Sequence, residues 1–270
     1  MNNIKRYIWV GIFFVVIALA FVGILHRDRR QLVPVLTYHS IMPVEYYYPL
    51  NADNPWILRE DVFYAQMRYL YENGFNTLNT TQLVDFLFYE GQLPPNPVVI
   101  TFDDGYLDNM LFAAPIMQQF GLNGIIFTIT SLIEGETQAM TAYPMQFMSE
   151  ADMASIMDVF EFAAHGHYFH QVVDGVAMLA SESVADIKAD VLRSFETPLT
   201  CRVSFAYPYG IHSPNALQAL SEAGIRIAFT TRERYVRRNT NPLLLPRFSV
   251  WGGEDGMTIE RFSDTVRGRR

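Results

Sequence analysis

Thr101-Phe102-Asp103-Asp104-Gly105 closes the apolar run Val98-Val99-Ile100. Such a run, ended by a glycine, reads as a buried strand that stops at a sharp turn. Within a strand, neighbouring side chains point to opposite faces, so two adjacent acids inside it cannot serve one site. At the strand's end, with Gly105 letting the chain turn, they can converge. One carboxylate is then free to hold a metal ion while the other handles a proton, a division of labour suited to hydrolysis. Asp-Asp-Gly is also an ordinary turn sequence, and alone it reads as one. The histidines downstream decide between the two.

Strand and helix signals alternate on both sides of this stretch. Upstream, Leu32 to Tyr38 is a short apolar run. Phe63, Met67 and Leu70 at i, i+4 and i+7 then mark a helix over residues 60–73 that stops at Gly74. Phe75 to Leu78 reads as strand, and a helix follows from near Thr80 to before Gly91. Downstream come a helix from about Asn109 to Gly121, the strand Ile125 to Ile129, an N-cap at Ser149 and the strand Val159 to Ala164. A helix over residues 183–195, the strand Val203 to Tyr207, a helix opened by Ser213-Pro214 and the strand Arg226 to Thr230 complete the series. This rhythm predicts an α/β fold with a parallel sheet covered by helices, either a barrel or an open doubly wound sheet. Both collect chemistry at the C-terminal ends of strands. Asp103, Asp104, His165 and Pro208-Tyr209-Gly210 each follow a predicted strand directly, and His39 follows the first.

The chain has 270 residues, 50% of them hydrophobic, enough for one domain with a substantial core. A net charge of −8, with Lys5 and Lys188 the only lysines, argues against nucleic acid as a partner. Cys201 is the single cysteine, which excludes an internal disulfide and a cysteine-based zinc site; it reads as core or strand edge. Tyr7 to Leu25 is uncharged throughout, with Lys5 and Arg6 before it and His26, Arg27, Asp28, Arg29 and Arg30 after it. About 20 apolar residues span a bilayer, against roughly 7–15 in the core of a signal peptide. Residues 1–30 are therefore expected to be an uncleaved membrane anchor with its flanks. Basic residues on both sides leave its orientation open.

His165, His167 and His170 bring three of the six histidines into six residues, directly after a predicted strand. On a helix, His165 and His170 would lie about 140° apart, so they converge only in a loop, which Gly166 favours. Two histidines and one carboxylate form a common hydrolytic metal set that leaves positions for water and substrate. The competing reading is a surface loop of solvated histidines. The acidic pair at a neighbouring strand end shifts the balance to metal.

In their order and separations, Thr-Phe-Asp-Asp-Gly, the histidine loop and Tyr207-Pro208-Tyr209-Gly210 resemble the NodB-type polysaccharide deacetylases of carbohydrate esterase family four. The opening Val35-Leu36-Thr37-Tyr38-His39-Ser40 resembles that family's first strand. The resemblance spans residues 31 to 250 and implies a distorted (β/α) barrel with fewer strands than a TIM barrel, here preceded by one transmembrane helix. Residues 31–270 are then the catalytic domain. The resemblance also implies a divalent metal, usually zinc with nickel or cobalt as alternatives, on Asp104, His165 and His170. Asp103 would be the general base for the attacking water, and the Tyr209 backbone N–H would help stabilise the oxyanion. The implied reaction hydrolyses an N-acetyl amide on a sugar, releasing acetate and leaving an amine.

Three features depart from the family pattern. The histidine spacing is one residue longer than in most members. Together with the following Val172 to Ser183, it is similar to the branch that deacetylates poly-β-1,6-N-acetylglucosamine in biofilm matrices. Ala206 stands where most members carry the arginine that holds the catalytic Asp ionised. Arg247 is the candidate replacement, against an ordinary salt-bridge role. No histidine follows His212, so the late histidine that protonates the leaving amine is missing. His39 is expected to fill that role, as in the biofilm-matrix branch, against a structural histidine satisfied by the backbone. His167 reads as a loop support. Tyr46-Tyr47-Tyr48, Trp56, Tyr143 and Phe147 are candidates for a sugar groove or membrane contact, against core or casual surface. The tail from Trp251 is assigned no chemistry.

The expected function is metal-dependent removal of N-acetyl groups from an N-acetylglucosamine-containing polysaccharide outside the cell membrane, with the chain anchored through its N-terminal helix. The alternatives are the same chemistry on peptidoglycan, or a polysaccharide-binding pseudoenzyme.

Overall fold

Seven parallel strands make up the main sheet: β1 (Val35–Tyr38), β2 (Pro97–Asp104), β3 (Gly124–Thr128), β4 (Phe160–Ala164), β5 (Thr200–Ala206), β6 (Ile227–Phe229) and β7 (Phe248–Ser249). Their spatial order is β6-β5-β4-β3-β2-β1-β7, and the short strand Asn76–Thr77 joins the start of β2. The computed structural model describes residues 31–47, 53–141, 145–253 and 256–269. The expected membrane anchor, Tyr48 and Tyr143 lie outside the described residues. Among those described, no helix is long and apolar enough to cross a membrane.

The stretch from Leu245 to Ser249 curls this sheet into a distorted barrel. Leu245 bridges to Phe229 of β6, while Phe248 and Ser249 pair with Leu36 and Thr37 of β1. One extended segment thus touches both ends of the sheet, and Arg247 sits inside that seam, fully buried.

Side chains alternate across the strands as a period of two requires. On β2, Val98, Ile100 and Phe102 face the outer layer, where they pack with Phe63, Met67 and Leu70 of helix α1 (Glu60–Glu72). Val99 faces the interior, with Val35, Ile125, Phe127, Phe229 and Leu245. Each such fully buried side chain contributes on the order of 1.5–3 kcal/mol. Thr101 and Asp103 continue the inner row upward, so the interior changes from apolar at its base to charged at its top. The same alternation on β1 runs Val35, Thr37, His39.

Most helices begin where their capping residues stand. Asn79 and Gln82 form a capping box on α2 (Thr80–Phe88). Ser149 and Asp152 do the same on α4 (Glu150–Ser155), which follows α3 (Ala114–Gln119). Ser183, Ser213 and Thr258 cap α5 (Val184–Ser194), α6 (Pro214–Glu222) and α7 (Ile259–Val266). Such a cap stabilises a helix by typically about 1 kcal/mol. The helix expected from Asn109 is not continuous. A π-helical turn spans Asn109–Ala113 and α3 continues directly from it, with Pro115 in its first turn, a residue that has no N–H to give to the turn before.

Candidate active site

The backbone at the end of β2 explains how two adjacent acids reach one site. Asp103 lies on the inner row, and Asp104 would by alternation point away. Its φ of 74° puts it in the left-handed region, which re-aims the side chain. Gly105 follows at φ 86°, and a Cβ there would lie 2.8 Å from Thr128 Cγ2. A left-handed non-glycine residue costs on the order of 1–3 kcal/mol, and such residues gather at functional sites. The turn expected at Gly105 begins one residue earlier.

The histidine loop leaves β4 through Gly166, at φ 87°. Asp190 of α5 holds it: its carboxylate accepts the backbone N–H groups of His167 at 2.8 Å, Tyr168 at 2.7 Å and Phe169 at 3.2 Å. His165 Nδ1 faces the Ala206 carbonyl at 2.8 Å. A carbonyl only accepts, so Nδ1 carries the proton and Nε2 keeps its lone pair. That Nε2 lies 3.6 Å from Asp104 Oδ1, and His170 Nε2 lies 3.4 Å from the same oxygen. The three ligand atoms are within 4.8 Å of one another. Tetrahedral zinc with bonds of roughly 2.0–2.1 Å separates its ligand atoms by about 3.3–3.4 Å, so the donor set fits such an ion.

Burial pushes His165 down to about 3, against the pull of Asp103, and it lowers His170 as well. Both histidines are therefore neutral near pH 7, as ligation requires. Burial raises the Asp104 carboxyl against the pull of His39. A carboxylate so placed is stabilised by an arriving cation.

Asp103 is held differently. Arg247 meets it with two parallel hydrogen bonds, Nη1 to Oδ1 at 2.7 Å and Nη2 to Oδ2 at 2.8 Å. The guanidinium is itself fixed by the Thr230 carbonyl at 3.0 Å and Thr101 Oγ1 at 3.2 Å, and flanked by the rings of Phe127 and Phe229. Burial alone would raise Asp103, but Arg247 and then His165 hold it well below the usual carboxylate range. It stays ionised at any working pH.

The remaining candidates stand around this centre. His39 lines the same cleft, of about 670 Å³, with its ring 4.5 Å from Trp56. Burial lowers its pKa against the pull of Asp104 and Asp103. Tyr209 also lines the cleft, in a left-handed conformation of φ 59°, its ring 4.8 Å from that of His170. His167 is not in the cluster; its Nδ1 meets Thr130 Oγ1 at 2.9 Å, a loop-supporting contact. His212 does not line the cleft. Of the aromatic candidates, Trp56 lines it, Tyr47 is buried beside Met42 and Ile57, and Phe147 packs on Tyr106. Cys201 lies on β5 with its thiol pKa raised by burial, as expected of an inert residue.

Three residues that the sequence reading passed over belong to the site. Tyr106 hydrogen-bonds Asp104 and lines the cleft. Trp251 lines it too, packing on Trp56 at 4.5 Å. Asp190 holds the histidine loop. It occupies a buried position of α5 beside Ile187, Val191 and Ser194, so a charged residue on an apolar face was the available signal.

Comparison with known proteins agrees with this geometry. A family model described as polysaccharide deacetylase matches residues 90–228. The protein YxkH of Bacillus subtilis (strain 168) is 24% identical over 241 residues, 89% of this chain and 79% of that protein. The poly-beta-1,6-N-acetyl-D-glucosamine N-deacetylase of Staphylococcus aureus (strain MSSA476) is 26% identical over 200 residues, 70% of this chain and 66% of that protein, just under two thirds of it. Among solved structures, the Streptococcus pyogenes deacetylase PplD in complex with acetate superposes with a TM-score of 0.72 at 21% identity, covering 87% of this chain and 98% of that one. IcaB from Ammonifex degensii also reaches 0.72, at 20% identity, covering 90% and 99%. At these identities the structural likeness speaks for the fold.

Proposed function

Since the chain belongs to the polysaccharide deacetylase family, we propose that it removes N-acetyl groups from N-acetylglucosamine units of an extracellular, poly-β-1,6-linked polysaccharide. The observation that carries the reading is the pairing of one locked carboxylate, Asp103 on Arg247, with a neighbouring triad whose Nε2 atoms approach Asp104 Oδ1 at 3.4 and 3.6 Å. Asp104, His165 and His170 would hold a divalent ion, zinc by the donor set. Such an ion would supply Lewis acidity, for activating water near neutral pH and for polarising the acetyl carbonyl.

The chain's own residues do the rest. Asp103 accepts the proton of the attacking water, and the Tyr209 backbone N–H receives charge developing on the acetyl oxygen. Arg247 keeps Asp103 ionised and fixes its plane, at a cost in basicity. Asp103 is thereby suited to a proton that passes through rather than one that comes to rest. His39 gives a proton to the departing nitrogen, which leaves poorly as an anion. Burial outweighs the pull of Asp104 and Asp103 and lowers the pKa of His39, which makes the imidazolium a stronger acid towards that nitrogen. Trp56, exposed, and Trp251, half-buried, both line the cleft and offer sugar rings an apolar platform. Acetate and a free amine result. The polymer is assigned from the longer histidine loop and the Staphylococcus aureus relative, and a polymer of that class, lying outside the cytoplasm, sets the orientation of the Tyr7–Leu25 anchor with its N-terminus inside.

The test is acetate release by the full-length, zinc-loaded chain from β-1,6-N-acetylglucosamine oligomers beside peptidoglycan fragments, with a chelator control. Chelator-sensitive release from the oligomers alone supports the reading. Release from the fragments alone reassigns the polymer, and bound zinc with no release from either makes the chain a binding protein.

A further inference from the structure

Asp108 and Asn109, at the start of the π-helical turn, take no part in the chemistry above, yet both are buried, at 2% and 0% exposure. Their polar atoms converge on the segment that begins with His39. Asp108 Oδ2 accepts the Ser40 hydroxyl at 2.6 Å, and Oδ1 accepts the Ile41 N–H at 3.0 Å. The Asn109 amide donates to the His39 carbonyl at 2.7 Å and to Asp108 Oδ1 at 2.7 Å. Both hydrogens of that amide are committed. Turning it over would set its Oδ1 against two oxygens, so its orientation is fixed although Oδ1 itself is buried without a partner. An orphaned buried acceptor costs on the order of 1–3 kcal/mol.

We propose that Asp108 and Asn109 are positioning residues that clamp the His39–Ile41 segment to the same stretch of chain that carries Asp103 and Asp104. The clamp sets the distance between the proton donor and the hydrolytic centre. This rests on the reading of His39 as the acid that protonates the leaving amine. The clamp acts on the backbone of His39, while Trp56 supports the ring, so the imidazole is held from two sides. Burial pushes the Asp108 carboxyl up to about 7 against the pull of Ser40, Ile41 and Asn109. An acid kept in such surroundings is costly unless its bonds are needed.

A positioning role and a merely structural one are separated by the leaving group. An N-acetylglucosamine amide needs its nitrogen protonated, whereas para-nitrophenyl acetate loses a phenolate that needs no proton. In the full-length, zinc-loaded chain, Asn109→Leu keeps the side-chain volume and removes both donors. It is expected to lower kcat for acetate release from β-1,6-N-acetylglucosamine oligomers about 10- to 100-fold, as a misplaced catalytic group does. KM and zinc stoichiometry stay the same, and ester hydrolysis changes less than about twofold. Ser40→Ala, which removes one bond of the clamp, gives the same split at smaller amplitude and carries the test should Asn109→Leu not fold. His39→Ala is the reference. If it lacks the amide–ester split, the acid assignment falls and the clamp with it. If His39→Ala shows the split and the clamp variants lose both reactions equally, or neither, the positioning inference alone is overturned.

Discussion

Replacing Arg247 by leucine separates the stability of the site from its chemistry. The side chain is fully buried and makes four hydrogen bonds, two of them to Asp103, which is 3% exposed. Its loss leaves a carboxylate in the barrel interior with no counter-charge, and breaking a buried pair in this way costs about 3–5 kcal/mol. For a domain of this size each kcal/mol lowers Tm by about 2–4 °C, so Arg247→Leu is expected to unfold some 6–20 °C below the parent. The pH dependence must also invert. In the parent, Asp103 sits below its ordinary 3.8, so it contributes stability above that value, lost as pH falls through the folded pKa. In the variant, burial is unopposed by Arg247 and the folded pKa rises above 3.8, so stability is lost as pH climbs from there. The double variant Asp103→Asn, Arg247→Leu removes the stranded charge. It should recover part of the loss, with a coupling of about 0.5–3 kcal/mol, while remaining inactive. Urea unfolding of the four proteins between pH 4 and 8, with acetate release in parallel, is the assay. Additive single effects would refute the reasoning, and so would an Arg247→Leu protein as stable as the parent.

Other substitutions test the division of labour. Asp103→Asn is expected to keep zinc near one equivalent while acetate release falls by about 10²–10⁴-fold, whereas His165→Ala loses both; equal metal loss in the two, read by atomic absorption, contradicts the roles. Asp190→Ala frees three backbone N–H groups of the histidine loop and should weaken zinc binding about 10- to 100-fold, with unchanged affinity in a competition titration counting against the loop-holding role. In the metal-stripped protein, unfolded His165 takes up a proton near 6.5 but the folded group only at about 3, so stability falls progressively as pH drops from 6.5. A His165→Gln variant should flatten that part of the urea-midpoint profile, and identical slopes would remove His165 as the cause.

The parts of the molecule that were legible in sequence share a local physical cause. The run Val98 to Phe102 reads as strand because its residue types and length leave little else, and Ser149 and Ser213 announce helix starts because capping is a contact over three residues. Asp103, Asp104, His165 and His170 stood out because strand ends and turn glycines are local too. What stayed hidden is long-range. Asp190 meets backbone groups 21 to 23 residues away, and Asn109 reaches back 70 residues to His39. Trp251 reaches the cleft only because the seam beside β7 carries it there. The π-helical turn was missed for a different reason: periodicity over five residues does not distinguish it from the α-helix that follows.

Arg247 shows how a site keeps its chemistry while its sequence pattern changes. What Asp103 needs is a guanidinium at hydrogen-bond distance inside the barrel, and the strand that supplies it is immaterial. Ala206, at the end of β5, is the position from which most of the family supplies it by resemblance. Here that small side chain is buried in the inner cluster with Leu245, and its carbonyl instead orients His165. Arg247 arrives from the seam, between the rings of Phe127 and Phe229. Two arginines converging on one buried carboxylate would leave a positive charge uncompensated in the interior, so the small residue at 206 and the arginine at 247 are complementary. A missing motif arginine is therefore weak grounds for calling such a chain catalytically dead, because Asp103 keeps its bidentate partner at 2.7 and 2.8 Å.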